Sequence, residues 1–281
     1  YALITTLYSY VILFIVLMSV YLTIRSIIAI ENEATIKSVL DLALKMAQKF
    51  YPFVQFILWG AVTLLTLFVL QMNDKFGPGI LKKFLLGQYY HPKKEDRIFM
   101  FLDMKSSTTI AEEIGNEKYF NLLSNLFSDL TDTILNNEGE IYQYVGDEIV
   151  ITWPTKSGIK NANCIHCYFD IKNRLIELSS YYQSKYQTVP NFKAGLHYGI
   201  VMAGEVGVIK KDIIYSGDVL NTTARIQAKC NEFKTDLLIS QNILEILEPK
   251  DLTSFKTEKI GSIVLRGKKE EIVIKSISYL S

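Results

Sequence analysis

Two uncharged apolar runs constrain this chain more than any other feature. Tyr1 to Ile24 carries no ionisable acid or base, and neither does Phe50 to Asn73. Each exceeds the ~20 apolar residues that take a helix across a bilayer. Two such runs are rare in soluble cores, and a secretory signal would be shorter and single. We therefore expect a membrane region over residues 1–72, with transmembrane helices at about 1–25 and 50–72. Between them Glu31 to Lys49 mixes charges with Ile36, Val39, Leu40, Leu42 and Leu44, which suits a loop or an amphipathic turn. The chain begins at Tyr1 and not at Met, so a longer protein with further spans upstream is expected.

Residues 73–97 read as a connector. They hold Gly77-Pro78-Gly79 and the basic residues Lys75, Lys82, Lys83, Lys93, Lys94 and Arg97. By the positive-inside rule this side is cytoplasmic, which gives a multi-pass protein in the cell membrane with its remaining domain in the cytoplasm. The spans contain no ionisable group, which argues against a transporter or channel. Lys and Arg number 30 against 29 Asp and Glu. No basic stripe exists to displace counterions, so no nucleic-acid partner is expected.

From Ile98 onward strands and helices alternate. Ile98 to Leu102 is a short apolar strand, and Tyr119, Leu123, Leu126, Leu130 and Ile134 form a helical stripe. Glu140 to Val145 and Glu148 to Trp153 flank Gly146-Asp147 as a tight hairpin. A helix follows with Cys164, Tyr168, Ile171, Leu175 and Leu178 on one stripe; it makes its cysteines buried thiols and His166 a surface residue. Phe192 to Val201 is a strand leading into a hairpin through Gly204 and Gly207. A helix from Asp218 to Cys230 and a strand pair, Ile260 to Leu265 with Glu271 to Ile277, complete residues 98–281. The fold class is α+β, a ferredoxin-like βαββαβ unit with additions.

Asp103 ends the first of these strands and Asp147 sits at the hairpin tip. Carboxylates at such positions are held rigidly, and a convergent pair can bind the paired divalent ions of phosphoryl transfer. After Asp103, Ser106, Ser107 and Thr108 offer hydroxyls, backbone N–H groups and a helix N-terminus to a phosphate. Thr109-Ile-Ala-Glu112 fits a capping box there. In Ser216-Gly-Asp218-Val-Leu-Asn221-Thr-Thr-Ala-Arg225, Asp218 can cap a helix that places Asn221 and Arg225 on one face. An amide and a fixed guanidinium can orient a ribose and neutralise charge on a phosphate.

In order and spacing, Phe101-Leu-Asp-Met-Lys-Ser-Ser-Thr, Tyr144-Val-Gly-Asp-Glu and Gly-Asp-Val-Leu-Asn-Thr-Thr-Ala-Arg resemble the catalytic core of class III adenylyl and guanylyl cyclases. The resemblance implies a nucleoside triphosphate substrate, ATP or GTP, converted to a 3′,5′-cyclic nucleotide and pyrophosphate. It implies a homodimer with shared active sites. Asp103, Met104 and Asp147 of one subunit would hold two Mg²⁺ or Mn²⁺ ions, and Asn221 and Arg225 would come from the other. Arg266, in Leu265-Arg-Gly, corresponds to a contact with the outer phosphates.

The family's base-reading positions are Gln143 and Ile214 here, in place of the Lys and Asp of adenylyl cyclases. Gln can pair with either purine, and the usual guanylyl pattern is absent as well. ATP is favoured and GTP stays open. The competing reading is a catalytically degenerate module that senses nucleotide or dimerises.

Overall fold

The computed structural model describes residues 19–21, 23–24, 27, 36–76, 86–209, 211–264 and 271–280. The chain divides into two compact units, residues 1–81 and 82–281.

In the first unit, α1 (Ile36–Phe76) is one continuous helix. Residues 36–49, expected as a loop or turn, are its opening turns. Good helix formers with no glycine or proline before Pro52 carry the helix straight through, and Lys45 and Asp41 pair across one turn at 3.4 Å. Leu40–Met72 is long and apolar enough to cross a membrane, the one such helix among the described residues. Its large side chains stay exposed, Phe56 at 77% and Leu64 at 70%. Thr63 and Thr66 donate their hydroxyls back to the Trp59 and Val62 carbonyls, which leaves those polar groups satisfied on the helix itself. The expected first span lies almost wholly outside the described residues.

The second unit is built on an eight-stranded sheet. In chain order its elements are β1 (Lys93–Met104), α2 (Ser107–Ile114), α3 (Asn116–Asn136), β2 (Glu140–Val145), β3 (Glu148–Pro154), α4 (Thr155–Ile159), α5 (Asn163–Glu177) and α6 (Ser179–Tyr186). Then come β4 (Phe192–Val206), β5 (Asp212–Ser216), α7 (Asp218–Glu232), β6 (Leu237–Ser240), α8 (Gln241–Ile246), β7 (Phe255–Val264) and β8 (Glu271–Tyr279). The strand order is β2-β3-β1-β4-β6-β8-β7, with β5 paired to the far part of β4. The first four strands are mutually antiparallel in the order of the expected split βαββαβ unit. The parallel β4–β6 pair and the β7–β8 hairpin are the additions.

Alternation along β1 divides the core into two faces. Ile98, Met100, Leu102 and Met104 face α3 and α5, and Phe99 and Phe101 face α7 and β5. The α3 seam is Leu122, Leu126, Leu130 and Ile134, with Tyr119 and Leu123 half-buried beside it; the stripe expected through Leu123 is therefore displaced by one residue at its start. Cys164, Cys167 and Cys230 are buried free thiols, and burial pushes Cys164 and Cys230 up to about 12. His166 is not a plain surface residue: its Nδ1 lies 3.2 Å from the Tyr279 hydroxyl and its ring packs on Phe255.

Two boundaries differ from expectation. Strand β1 begins at Lys93 rather than Ile98, because the long partner β4 carries the ladder outward (Lys93 opposite Ala203) over a charged sequence that alone reads as linker. Lys93, Lys94 and Arg97 therefore belong to the sheet. Arg97 is 2% exposed and paired with Glu95 and Glu140, so it drops out of the connector's charge tally. Strand β4 likewise continues past Val201 to Val206 before the chain turns back into β5.

Candidate active site

The β2–β3 hairpin brings the acids together. Gly146 and Asp147 form its two-residue turn, and Gly146 alone has a positive φ (64°), the type II′ pattern that suits right-twisted strands. Asp147 is thereby fixed at the tip. In the neighbouring ladder Asp103 lies directly opposite Glu148. Asp103, Asp147 and Glu148 therefore share one edge of the sheet.

The three acids feel one another's charge. The Glu148 carboxyl is raised to about 7, first by burial and then by the negative charges of Asp103 and Asp147. The Tyr119 phenol is raised by burial and by Asp147 and Asp103, against a hydrogen bond with Ser107 that lowers it. One oxygen of Asp147 is buried without a hydrogen-bond partner among the described residues. A buried anionic oxygen beside two further carboxylates is costly unless a cation joins it. The donor set fits a divalent ion: hard oxygens, few in number. Among the described residues no group of three or more His, Cys, Asp or Glu is placed to hold a metal ion. Mg²⁺ commonly takes one or two carboxylates and fills its other positions with water and phosphate oxygens.

Glu148 gives the metal-free protein a pH-dependent stability. Its folded-state pKa lies above the unfolded value, so the folded state holds the proton longer. This contribution to stability is full below about pH 4.5 and is lost as pH rises through about 7. Thermal unfolding in chelator should show Tm falling across that window, and Glu148→Gln should flatten the fall. An unchanged slope in Glu148→Gln removes Glu148 as its source.

Asp103 is held by two residues that the sequence did not suggest. Lys193, opposite it on β4, approaches to 3.1 Å, and the Gln227 amide on α7 donates to the same oxygen at 2.9 Å. Gln227 can reach because α7 lies against β4. A Cβ added to Gly195 would stand 2.4 Å from the Gln227 nitrogen, so only glycine admits the helix backbone there. Hydrogen bonds to a charged group carry ~1.5–3 kcal/mol. Gln227→Leu should therefore cut turnover that depends on Asp103 by about tenfold with substrate KM little changed. A variant as active as the parent would free Asp103 from this dependence.

The other expected residues distribute as follows. The Met104 side chain is buried on the opposite sheet face from Asp103, which leaves its main chain as the group it can offer a cation. Ser106 is the left-handed residue (φ 55°) before α2, with Ser107 and Thr108 opening the helix. Because α2 starts at Ser107, the Thr109–Glu112 pair lies inside the helix and is not a capping box. Similarly α7 starts with Asp218 in its first turn, after Gly217 as the capping position, one residue earlier than expected.

Asn221 is exposed and Arg225 half-exposed on α7, and neither side chain finds a hydrogen-bonding partner among the described residues. Residues two apart on a helix point ~200° apart. The face that turns Gln227 to Asp103 therefore turns Arg225 away from that same Asp103. Gln143 is exposed on β2 beside a bulge at Tyr142, and Ile214 lies on β5. Their neighbours meet: the Tyr215 N–H donates to the Tyr142 hydroxyl at 3.4 Å, with ring centroids 5.0 Å apart. Arg266 falls outside the described residues.

Comparisons with known proteins place the domain in a family. The family model described as the adenylate and guanylate cyclase catalytic domain matches residues 89–275. Adenylate cyclase 2 of Rhizobium meliloti (strain 1021) is 35% identical over 212 residues, which are 75% of this chain and 58% of that protein. The chain thus spans a little over half of that relative's length. Among solved structures, a bacterial light-regulated adenylyl cyclase aligns with a TM-score of 0.62 at 19% identity, over 83% of this chain and 65% of that one. The guanylyl cyclase Cya2 aligns with a TM-score of 0.56 at 18% identity, over 67% and 94%. At those identities the structures speak for the fold alone. With the family match running from Tyr89 through the strand of Asp103, the hairpin of Asp147 and the helix of Arg225 to β8, this chain belongs to the family of adenylate and guanylate cyclase catalytic domains.

Proposed function

We propose that the chain converts a nucleoside triphosphate, with ATP favoured, into a 3′,5′-cyclic nucleotide and pyrophosphate at the interface of a homodimer. The observation that carries this is the buried oxygen of Asp147, without a hydrogen-bond partner among the described residues, in the field of Asp103 and Glu148. The reaction joins the ribose 3′-oxygen to the α-phosphorus, breaks the bond from that phosphorus to pyrophosphate, and releases the hydroxyl proton to solvent. Two Mg²⁺ or Mn²⁺ ions, when bound, activate the hydroxyl and neutralise triphosphate charge. Asp103, Asp147 and the Met104 main chain are the groups to hold them. Lys193 and Gln227 fix the Asp103 carboxylate. Ser106, Ser107 and Thr108 line the phosphates at the start of α2, and Arg266 takes the outer ones. Asn221 of the second subunit orients the ribose and Arg225 bears on the α-phosphate.

Dimerisation is supported by two features. Arg225 faces away from its own Asp103, and Ile200, Met202, Val206, Val208 and Ile209 expose an apolar stretch along β4 and its turn into β5. Membrane anchoring is supported by the exposed apolar length of α1. Lys75 in the last turn of α1, with Lys82 and Lys83 shortly after it in the sequence, favours a cytoplasmic active site. On this reading residues 1–72 are the membrane region, 73–92 the connector and 93–281 the catalytic domain, which starts five residues earlier than the sequence suggests.

The test is product formation from ATP and from GTP with Mn²⁺, using the full chain in membranes. Cyclic product from ATP at the higher kcat/KM is expected. Absence of product from both, with the dimer intact, identifies a module without activity. Gln143→Lys with Ile214→Asp should raise the ATP-to-GTP ratio of kcat/KM by about tenfold, the scale of one well-placed polar contact. An unchanged ratio removes these two positions from base recognition.

A further inference from the structure

Arg97 is a buried cation about 20 Å along β1 from Asp103, at six residues of ~3.4 Å each. It is 2% exposed, donates to Glu95 at 2.7 Å and to Glu140 at 2.9 Å, and lies 4.5 Å from the Tyr215 ring centroid. Such a group needs a reason. Apolar residues of similar volume commonly replace a buried ion cluster without loss of stability, so stability alone does not account for it. What an ionic cluster adds is a defined geometry between the elements it joins.

The elements joined here are specific. Glu140 opens β2, on the far side of β3 from β1. Tyr215 lies on β5, which reaches β1 only through β4 on the other side. The guanidinium thus ties together two strands that share no ladder. The Tyr215 N–H completes the link by donating to Tyr142, the extra residue of the β2 bulge. Bulges re-aim the side chains beside them. Gln143 is one residue beyond Tyr142 and Ile214 is one before Tyr215. Because Tyr142 is the extra residue, Gln143 opposite Val150 stays on the cluster's own face of the sheet, exposed beside Tyr142, whereas Ile214 stands on the other side of β5 from Tyr215.

We propose that Arg97, with Glu95, Glu140, Tyr142 and Tyr215, is a positioning device that sets the separation of Gln143 and Ile214, and so governs affinity and selectivity for the nucleotide base. This rests on the reading of those two positions as the base contacts. Arg97 itself touches neither the base nor the metal carboxylates. Disturbing the cluster changes how the nucleotide is held and leaves the phosphoryl chemistry at Asp103 and Asp147 intact.

The test uses Arg97→Lys and Tyr142→Phe in the full chain. Lysine keeps the charge but has no planar fork to serve two carboxylates and a ring together. Tyr142→Phe removes a single half-exposed hydroxyl and keeps the core. For Tyr142→Phe we expect KM for ATP to rise about fivefold, the size of one neutral hydrogen bond, with kcat within about twofold. The ATP-to-GTP ratio of kcat/KM should move by about threefold or more, and Arg97→Lys should move both quantities further in the same direction. A fall in kcat at constant KM, or unchanged KM and ratio in folded Tyr142→Phe, overturns the proposal. Equilibrium binding of fluorescent ATP and GTP analogues separates it from the assigned activity. Weaker, less selective binding by Tyr142→Phe supports the device even if the parent makes no product, and equal binding by parent and variant rejects it. Should Arg97→Lys fail to fold, Tyr142→Phe decides alone.

Discussion

Asp147→Asn is expected to abolish cyclic-nucleotide formation and, in metal-free buffer, to raise the melting temperature. The two effects have one origin. Asp147 keeps a carboxylate oxygen buried near Asp103 and Glu148 with no hydrogen-bond partner among the described residues, so the metal-free fold carries an electrostatic cost. The amide removes one of the clustered charges and adds an N–H that can donate to its neighbours. Turnover should fall by about 10²–10³-fold or more, the scale of deleting one electrostatic partner of a transition state. Adding Mn²⁺ should then raise Tm in the parent, since a ligand that binds only the folded state stabilises it by mass action, and should leave the variant nearly unmoved. Equal cation stabilisation of parent and variant would be incompatible with Asp147 as a ligand. So would a variant that keeps more than about a tenth of the parent's turnover.

Mixing two inactive variants is expected to restore activity. Asp103→Ala removes a metal carboxylate and Arg225→Ala removes the guanidinium, so each homodimer lacks a required group at both of its sites. In a mixed dimer one site combines the intact Asp103 of one subunit with the intact Arg225 of the other, and the second site has neither. Random pairing of equal amounts makes half of the dimers mixed, and half of their sites are complete. The mixture should therefore recover about a quarter of parental activity if subunits exchange freely. The geometry behind this is the ~200° turn between Gln227 and Arg225 on α7, which sends them to different places. Failure of co-expressed variants to recover any activity, with mixed dimers demonstrated by tag pull-down, would place Arg225 in the same site as its own Asp103.

The parts of this architecture that were legible in the sequence are those written locally. The hairpin around Gly146-Asp147 follows from its turn residues, and the four strands of the split unit follow from their short apolar, β-rich runs. The three motifs in order were enough for the family. Legibility fell where a partner elsewhere decides the outcome. Lys93 to Arg97 is charged and becomes a strand because β4 extends beside it. Strand β6 has only four residues, too few for a period to show, and owes its place to β4 and β8. In the site, Asp103 and Asp147 could be named from motifs, whereas Lys193 and Gln227 needed the β1–β4 register and the contact of α7 with Gly195. Glu148 lay within a quoted motif and still went unassigned, since its importance comes from facing Asp103 across a ladder.

Helix α7 presents Gln227 to one carboxylate and Asn221 with Arg225 to the opposite direction. In a symmetric pair every amino-acid replacement in this helix is made in both copies, and each copy bears on both reaction centres. In the proposed pair a shift of α7 by a few tenths of an ångström would therefore disturb the acid of one centre and the guanidinium of the other, equally at both centres. The helix is consequently less free to vary than its half-exposed surface implies, and its tolerance to substitution should resemble that of a core strand.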